Sequence, residues 1–212
     1  MLVLTSSGLS SAQLLDETKK HLAPGARTAA LVTTASVGRK ERERNVPHLV
    51  DELARLGLAT EFFDIEFRDP RLLLEYDVVE INGGNPFYLL NQIRRSGAAE
   101  ILREIGEEKI LIGISAGSLV QQRNLELIFR YIPKMNARVR LTDFTALALT
   151  DIETFPHYKR FVSTYDRFEA RAQEYERENN CSVVRLNDGD GVFVSGGSSR
   201  VVRGEPERID DA

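Results

Sequence analysis

The chain lacks the features that mark several large classes of protein. It has one cysteine, Cys181, so neither a disulfide framework nor a cluster of thiolate metal ligands can form within it. No apolar run approaches the ~20 residues needed to span a bilayer. The first residues, MLVLTSSGLSS, lack the basic leader and the cleavage site of a secretory signal. We therefore expect a cytoplasmic protein that does not associate with membranes.

An excess of charge of one sign is also missing. The 28 basic and 32 acidic residues leave a formal net charge of −4, and no basic stripe with interleaved aromatic residues occurs, so no nucleic-acid partner is expected. Histidine is scarce, with three in the chain. His21 and His48 lie on the polar sides of helical patterns and are predicted to be surface residues. Because no histidine, cysteine and acidic residues cluster at ligand spacing, we expect neither a metal nor another cofactor.

The chain does contain a regular alternation of strand-like and helical patterns. Short apolar runs predict strands at residues 2–4, 28–33, 60–64, 78–82 and 110–114, with helices between them. This alternation predicts an α/β domain with a mainly parallel sheet, and the length of 212 residues suits one domain over residues 1–212. After His157 the pattern predicts one long helix to about Asn179, then closing strands at residues 181–186, 191–196 and 199–204.

The end of the fifth predicted strand carries the pattern Gly113-Ile114-Ser115-Ala116-Gly117. This matches the G-x-S-x-G elbow, in which small neighbours permit a sharp turn from strand to helix and expose a serine hydroxyl. A plain turn of small residues would explain the same letters. Because the pattern lies where a buried strand meets a helix, we interpret Ser115 as a nucleophile, with the amide of Ala116 pointing at an oxyanion.

Two further corners follow predicted strands or extended segments. In INGGNPFYLL, Gly83 and Gly84 have no side chains, so the backbone amides of this corner can approach a ligand and are candidates for the second oxyanion-hole donor, although a simple turn from strand to helix would have the same sequence. Asn85 is a candidate for the cap of the next helix and for a contact with substrate. In DIETFPHYKRF, His157 follows an extended stretch and a proline, which places it at the same functional edge and makes it the candidate general base.

A histidine base needs an acidic partner that fixes its tautomer. The turn in RLNDGDGVFV offers Asp188 and Asp190, although aspartates in such a turn also serve as ordinary turn residues. Further acidic residues remain as rivals: Glu126, Asp143, Asp151 and Glu153. Spacing alone does not choose among them.

Taken together, TSSG, NGGNPFYLL, GISAGS and PHY resemble the S51 serine peptidases, the family of peptidase E (α-aspartyl dipeptidase), whose relatives include cyanophycinase. The resemblance covers nearly the whole chain with its motifs in the same order. It implies a single three-layer α/β domain of the flavodoxin-like kind, similar to class I glutamine amidotransferases but with serine at the elbow.

The resemblance also implies roles for individual residues. Ser115 matches the family's nucleophile, His157 its base, and Gly84 and Ala116 its oxyanion-hole amides. The family's third triad member is a glutamate in an L-P-E-G turn, and the matching Leu186-Asn187-Asp188-Gly189 favours Asp188. Here the chain departs from the family, because aspartate is one methylene shorter. A second departure is Pro86, where the family often has threonine.

The family resemblance further implies an arginine, on the segment after the histidine, that reads the carboxylate of an N-terminal aspartate. The matching position is Arg167, although arginines in YDRFEARAQEYERE also suit pairing with glutamates one helical turn away. We therefore expect a serine peptidase for short peptides, acting as a monomer or homodimer. The alternatives are a cyanophycinase-like or esterase-type serine hydrolase, and a catalytically silent binding domain on the same fold.

Overall fold

Nine strands and eight α-helices make up most of residues 1–207, the part of the chain that the computed structural model describes. The strands are β1 (Leu2–Thr5), β2 (Thr28–Val32), β3 (Ala59–Phe63), β4 (Val78–Ile81), β5 (Ile110–Ile114), β6 (Glu153–Phe155), β7 (Val183–Arg185), β8 (Gly191–Ser195) and β9 (Ser198–Val202). The helices are α1 (Ala12–His21), α2 (Val46–Arg55), α3 (Pro86–Ser96), α4 (Ala98–Glu108), α5 (Ala116–Leu119), α6 (Glu126–Tyr131), α7 (Tyr158–Thr164) and α8 (Phe168–Asn179). None of these helices is long and apolar enough to cross a membrane.

The main sheet has seven strands in the order β3-β2-β4-β5-β1-β8-β9. Its first five strands run parallel, while β8 and β9 add an antiparallel edge beside β1. The predicted α/β domain with a mainly parallel sheet is therefore confirmed. Since the carboxyl ends of parallel strands meet at one edge, the residues that follow β1, β4 and β5 lie next to one another.

The core lies on both faces of this sheet, because successive side chains of a strand point to opposite sides. On one face, Val78 and Ile112 pack with Leu14 of α1 and Leu53 of α2. On the other face, Val79 and Leu111 belong to a larger cluster that contains Leu89 of α3 and Leu102 of α4. Helices thus cover the sheet on both sides, which gives the three layers.

The late strands differ from the prediction in their pairing. The segment that forms β7 was expected to be one of the closing strands of the main sheet. Instead, β7 pairs in parallel with β6 in a separate two-stranded sheet, with Phe155 opposite Arg185. Both strands have the same direction, so the turns after them emerge side by side. His157 lies in the first turn and Asp188 in the second.

The prediction of a single long helix after His157 is wrong, because the chain forms α7 and α8 with a break between them. Arg167 has φ of 50° in the left-handed region, which a helix cannot continue through. The break lets Tyr165 and Phe168 pack around Tyr131, at ring-centroid distances of 5.9 and 4.8 Å. Aromatic packing therefore overrides a local pattern that has no glycine or proline to signal a stop.

Candidate active site

Ser115 lies on a strained corner between β5 and α5. Its φ of 50° and ψ of −104° are unusual for a residue with a side chain, and strain of this kind, worth about 1–3 kcal/mol, is typical of functional sites. The backbone is held by hydrogen bonds on both sides: the Ser115 amide donates to Thr5, and its carbonyl accepts from Ser118 and Leu119. A Cβ at Gly117 would lie 2.2 Å from the carbonyl oxygen of Ile81, so this corner needs glycine.

The glycine corner after β4 abuts the serine. A Cβ at Gly83 would lie 3.4 Å from the Cβ of Ser115, which shows how closely the two corners meet. Gly84 has φ of +142°, and a Cβ there would lie 2.3 Å from the carbonyl oxygen of Ala35. Within residues 1–207, the amides of Gly84 and Ala116 have no hydrogen-bond acceptor. Two backbone donors therefore remain available beside the serine.

His157 and Asp188 meet through their side chains, where β6 and β7 end. The distance from His157 Nδ1 to Asp188 Oδ1 is 2.6 Å. This hydrogen bond is the main cause that lowers the pKa of the Asp188 carboxyl below its usual value, although burial opposes it. An ionised carboxylate only accepts hydrogen bonds, so the proton lies on Nδ1 and Nε2 is left as the basic nitrogen.

The neighbouring Asp190 has a different environment. Its side chain is nearly buried and accepts hydrogen bonds from Arg203 at 2.7 Å, the Asn187 amide at 2.9 Å and the Gly204 amide at 3.2 Å. These contacts fix the turn that carries Asp188. Within the described chain, the side-chain hydrogen bonds of the His157 ring are to Ser6 and Asp188. The other rival carboxyl groups make none to this ring: Glu126, Asp143, Asp151 and Glu153.

Two cavities border the serine, and both are lined by Gly84, Ser115 and His157. The larger, of about 760 Å³, has a polar wall that includes Glu43, His48, Glu52 and Arg55. The smaller, of about 430 Å³, is lined mainly by apolar side chains, with Leu119 of α5, Ile128 of α6 and Phe161 of α7 among them, and Arg160 is the arginine in its wall. The serine thus lies where two chemically different spaces meet. Ser115 makes no direct hydrogen bond to His157 within residues 1–207, and catalytic hydrogen bonds are often long before substrate binds.

Two residues proposed to contact substrate are placed elsewhere. Arg167 is exposed at the break between α7 and α8 and lines a separate surface groove. Asn85 caps α3, since its Oδ1 accepts from the amides of Phe87 and Tyr88 and its Nδ2 donates to Met135. Capping by Asn85 was predicted, but neither side chain lines the two cavities beside Ser115.

Sequence reasoning missed three residues of the site: Ser6, His48 and Arg160. Ser6 follows β1, and the rule that sites form at the carboxyl ends of parallel strands could have found it. His48 was assigned to the surface because it lies on the polar side of α2, but that side faces the larger cavity. Arg160 lies three residues after His157, one turn into α7, and this closeness to the histidine in sequence is the signal that could have found it.

These features define a serine hydrolase of the three-layer α/β class, with a nucleophile elbow beside a histidine–carboxylate pair. The chain belongs to peptidase family S51, whose model matches residues 1–202. Family and relatives together make it a serine-type peptidase.

The relatives agree with this assignment. The chain is 34% identical over 162 residues to a protein described as an uncharacterized peptidase of Listeria monocytogenes, covering 74% of this chain and 77% of that one. It is 29% identical over 144 residues to a peptidase E of a Shewanella species, covering 65% and 59% of the two chains. A solved structure of a putative peptidase E from Listeria monocytogenes superposes with a TM-score of 0.75 at 29% identity, over 96% of this chain and 98% of that chain. A peptidase from an acI-B1 Actinobacterium, with a TM-score of 0.68, 18% identity and coverage of 96% and 87%, shares the fold.

Proposed function

We propose that this protein hydrolyses short peptides through an acyl-enzyme on Ser115, with His157 as general base and Asp188 as the third triad member. The observation that carries the proposal is the 2.6 Å contact between His157 Nδ1 and Asp188, at the same edge as the strained serine. It leaves Nε2 free on a ring that lines both cavities with Ser115.

In this scheme Nε2 takes the proton of the Ser115 hydroxyl as the oxygen attacks the peptide carbonyl carbon. The charge that develops on the carbonyl oxygen is stabilised by the amides of Gly84 and Ala116, which have no acceptor within the described residues. The peptide C–N bond then breaks, and the imidazolium gives its proton to the leaving amine. Water attacks the ester in the second half of the reaction, again with His157 as base.

The preference for an N-terminal aspartate is a finer part of the proposal. Since Arg167 lies outside both cavities, we assign the role of reading the carboxylate to Arg160, the cation that lines the smaller cavity. Arginine suits this role because its guanidinium can hold a carboxylate through two hydrogen bonds. The rest of the wall is mainly apolar and would enclose the methylene of an aspartate side chain.

A panel of dipeptides with product identification tests the proposal. We expect the wild type to cleave dipeptides faster than simple p-nitrophenyl esters of the same acyl group, and to prefer Asp-Leu over Asn-Leu and Leu-Leu. Arg160→Ala should remove the preference for aspartate while leaving cleavage of Leu-Leu. Ester cleavage without peptide cleavage would replace the peptidase proposal by an esterase, and binding without turnover would replace it by a binding domain.

A further inference from the structure

Ser6 lies between the two halves of the active site, which are the Ser115 elbow and the His157–Asp188 pair. It follows β1, the strand next to β5, and is completely buried. The residue before it, Thr5, accepts the hydrogen bond from the amide of the elbow serine at 2.9 Å. The amide of Ser6 itself donates to the carbonyl of Asp190, at 3.3 Å, in the turn that carries Asp188. Its backbone therefore joins the nucleophile corner to the acidic turn.

The Ser6 hydroxyl contacts both partners of the His157–Asp188 pair. It donates to Asp188 Oδ1 at 2.7 Å and lies 3.3 Å from His157 Nδ1. Because a hydroxyl has one proton, and His157 Nδ1 already carries its own proton and cannot accept, the Ser6 proton is directed to the closer Asp188 oxygen. Asp188 Oδ1 thus accepts two hydrogen bonds, one from the imidazole and one from Ser6, which fixes the position of that oxygen.

The same hydroxyl also holds the backbone of His157. His157 has φ of 55° and ψ of 36°, in the left-handed region that residues with side chains rarely adopt. Its amide donates to Ser6 Oγ at 2.8 Å. The next amide, that of Tyr158, donates to Leu186 at 2.9 Å. Ser6 is therefore among the contacts that keep the histidine backbone in an unfavourable conformation.

We propose that Ser6 is a positioning residue of the active site: its hydroxyl holds the Asp188 carboxylate and the His157 backbone in one arrangement, so that Nδ1 is locked onto Asp188 and Nε2 faces Ser115. Ser6 reaches the reacting atoms through His157 and touches no atom of the peptide bond. This role rests on the proposed function for its effect on turnover, but its effect on the imidazole is measurable without any substrate.

The test compares Ser6 with a hydroxyl in the same kind of environment elsewhere. Thr34 is also completely buried, its Oγ1 donates to Asp64 at 2.8 Å, and it accepts from the amide of Ile65 at 2.9 Å. Ser6→Ala and Thr34→Val each remove a hydroxyl that bridges a carboxylate and a backbone amide. Thr34 lines neither cavity beside Ser115, so Thr34→Val serves as the matched control.

We expect Ser6→Ala to lower kcat for a dipeptide about 10- to 100-fold, the size usual for a hydrogen bond to a charged group, with KM nearly unchanged. Thr34→Val should lower the free energy of unfolding by about as much as Ser6→Ala does, and should leave kcat unchanged. Should Ser6→Ala fail to fold, Ser6→Cys leaves no empty space and has a weak donor in place of the hydroxyl, and its kcat should fall in the same way. A KM that rises at constant kcat, or a kcat equal to that of the control, would overturn the proposal.

The second readout is nitrogen-15 NMR of protein labelled at histidine, which reports the tautomer of each ring. With three histidines in the chain, the signals of His157 are assigned from those that vanish in His157→Ala. In the wild type we expect His157 in the single tautomer with the proton on Nδ1, and in Ser6→Ala a mixture of both tautomers. An unchanged single tautomer in Ser6→Ala would overturn the proposal even if kcat falls. A wild type that cleaves no peptide would instead overturn the proposed function, while the tautomer measurement still decides the role of Ser6.

Discussion

The two halves of the active site are built in different ways. Ser115 and Gly84 lie at the ends of β5 and β4, which are buried along their full lengths in the main sheet. His157 and Asp188 follow β6 and β7, three-residue strands of the small separate sheet, and their side chains are 23% and 47% exposed. The nucleophile is positioned by packed backbone, whereas the base is positioned by a few hydrogen bonds. The difference implies that the position of Ser115 depends mainly on the backbone around it, whereas the position of His157 depends mainly on the side chains that hold it.

The largest expected effect joins the two halves. Ser115→Ala and His157→Ala should each lower kcat by a factor on the order of 10⁶, because members of a catalytic triad act as a unit. The double variant should be no slower than either single variant. We would measure dipeptide turnover with thermal unfolding as the control for folding. If the loss of kcat in the double variant equalled the product of the losses in the two single variants, the two halves would not act together.

The next prediction is that Asp188 and Asp190, which lie in the same turn, respond differently to substitution. Asp188→Asn should lower kcat by up to ~10⁴, since an amide in place of the carboxylate favours the wrong histidine tautomer. Asp190→Asn weakens the contact with Arg203 and should instead lower the free energy of unfolding by about 1–3 kcal/mol, with a much smaller change in kcat. Turnover and urea unfolding of both variants check this prediction. If the two patterns came out reversed, Asp190 would replace Asp188 as the partner of the base.

A backbone change should damage the sheet-built half. Gly84→Ala would bring a Cβ against Ala35, so we expect a loss of about 2–4 kcal/mol in unfolding free energy. Displacement of the amide from the oxyanion position should also lower kcat ~10²- to 10³-fold. The matched control is Gly97→Ala, where φ is +73° and nothing lies within 4 Å, so only a conformational cost of about 1–2 kcal/mol applies. Equal losses of kcat in the two variants would remove Gly84 from the oxyanion hole.

The smallest effect concerns stability and pH at the wall of the larger cavity. Burial raises the pKa of Glu52 from 4.5 to about 7. The folded protein therefore binds a proton that the unfolded chain has already lost, and stability should fall as pH rises from about 4.5 to 7, then level off. The loss of unfolding free energy caused by this one group over that pH range is on the order of 3 kcal/mol.

Glu52→Gln should make the unfolding free energy less dependent on pH in this range, and urea unfolding at pH 5 and pH 7.5 measures the difference. Part of the dependence should remain, because burial also raises the pKa of Glu153 to about 7 and that of Glu80 well above its usual value. A variant with the same pH dependence as the wild type would contradict the assignment to Glu52.

The contrast between the two halves also explains what the sequence could predict. The strands of the main sheet, the elbow of Ser115 and the corner of Gly84 follow from local patterns, because apolar runs and glycines directly encode buried strands and tight corners. Asp188 needed the family resemblance, since the residues alone do not distinguish it from Asp190. The distinction depends on the parallel pairing of β6 with β7 and on Arg203, which lies 13 residues away from Asp190.

The differences between the expected and the observed positions of Arg167 and His48 have a physical reason as well. Arg167 was placed on a continuous helix, but the left-handed conformation of this residue depends on aromatic packing around Tyr131, which no local pattern reveals. His48 was judged from the polarity of its helix face, and a polar face lining a cavity has the same sequence as one facing solvent. Long-range packing thus determined the surroundings of Arg167 and His48.

The most direct test of the central claim is the site of covalent labelling by a fluorophosphonate probe, located by peptide mass spectrometry. We predict one equivalent of label on Ser115, slow labelling in His157→Ala, and no label in Ser115→Ala when the variant is folded to the same extent. A label on another residue, or undiminished labelling and dipeptide turnover in Ser115→Ala, would contradict it.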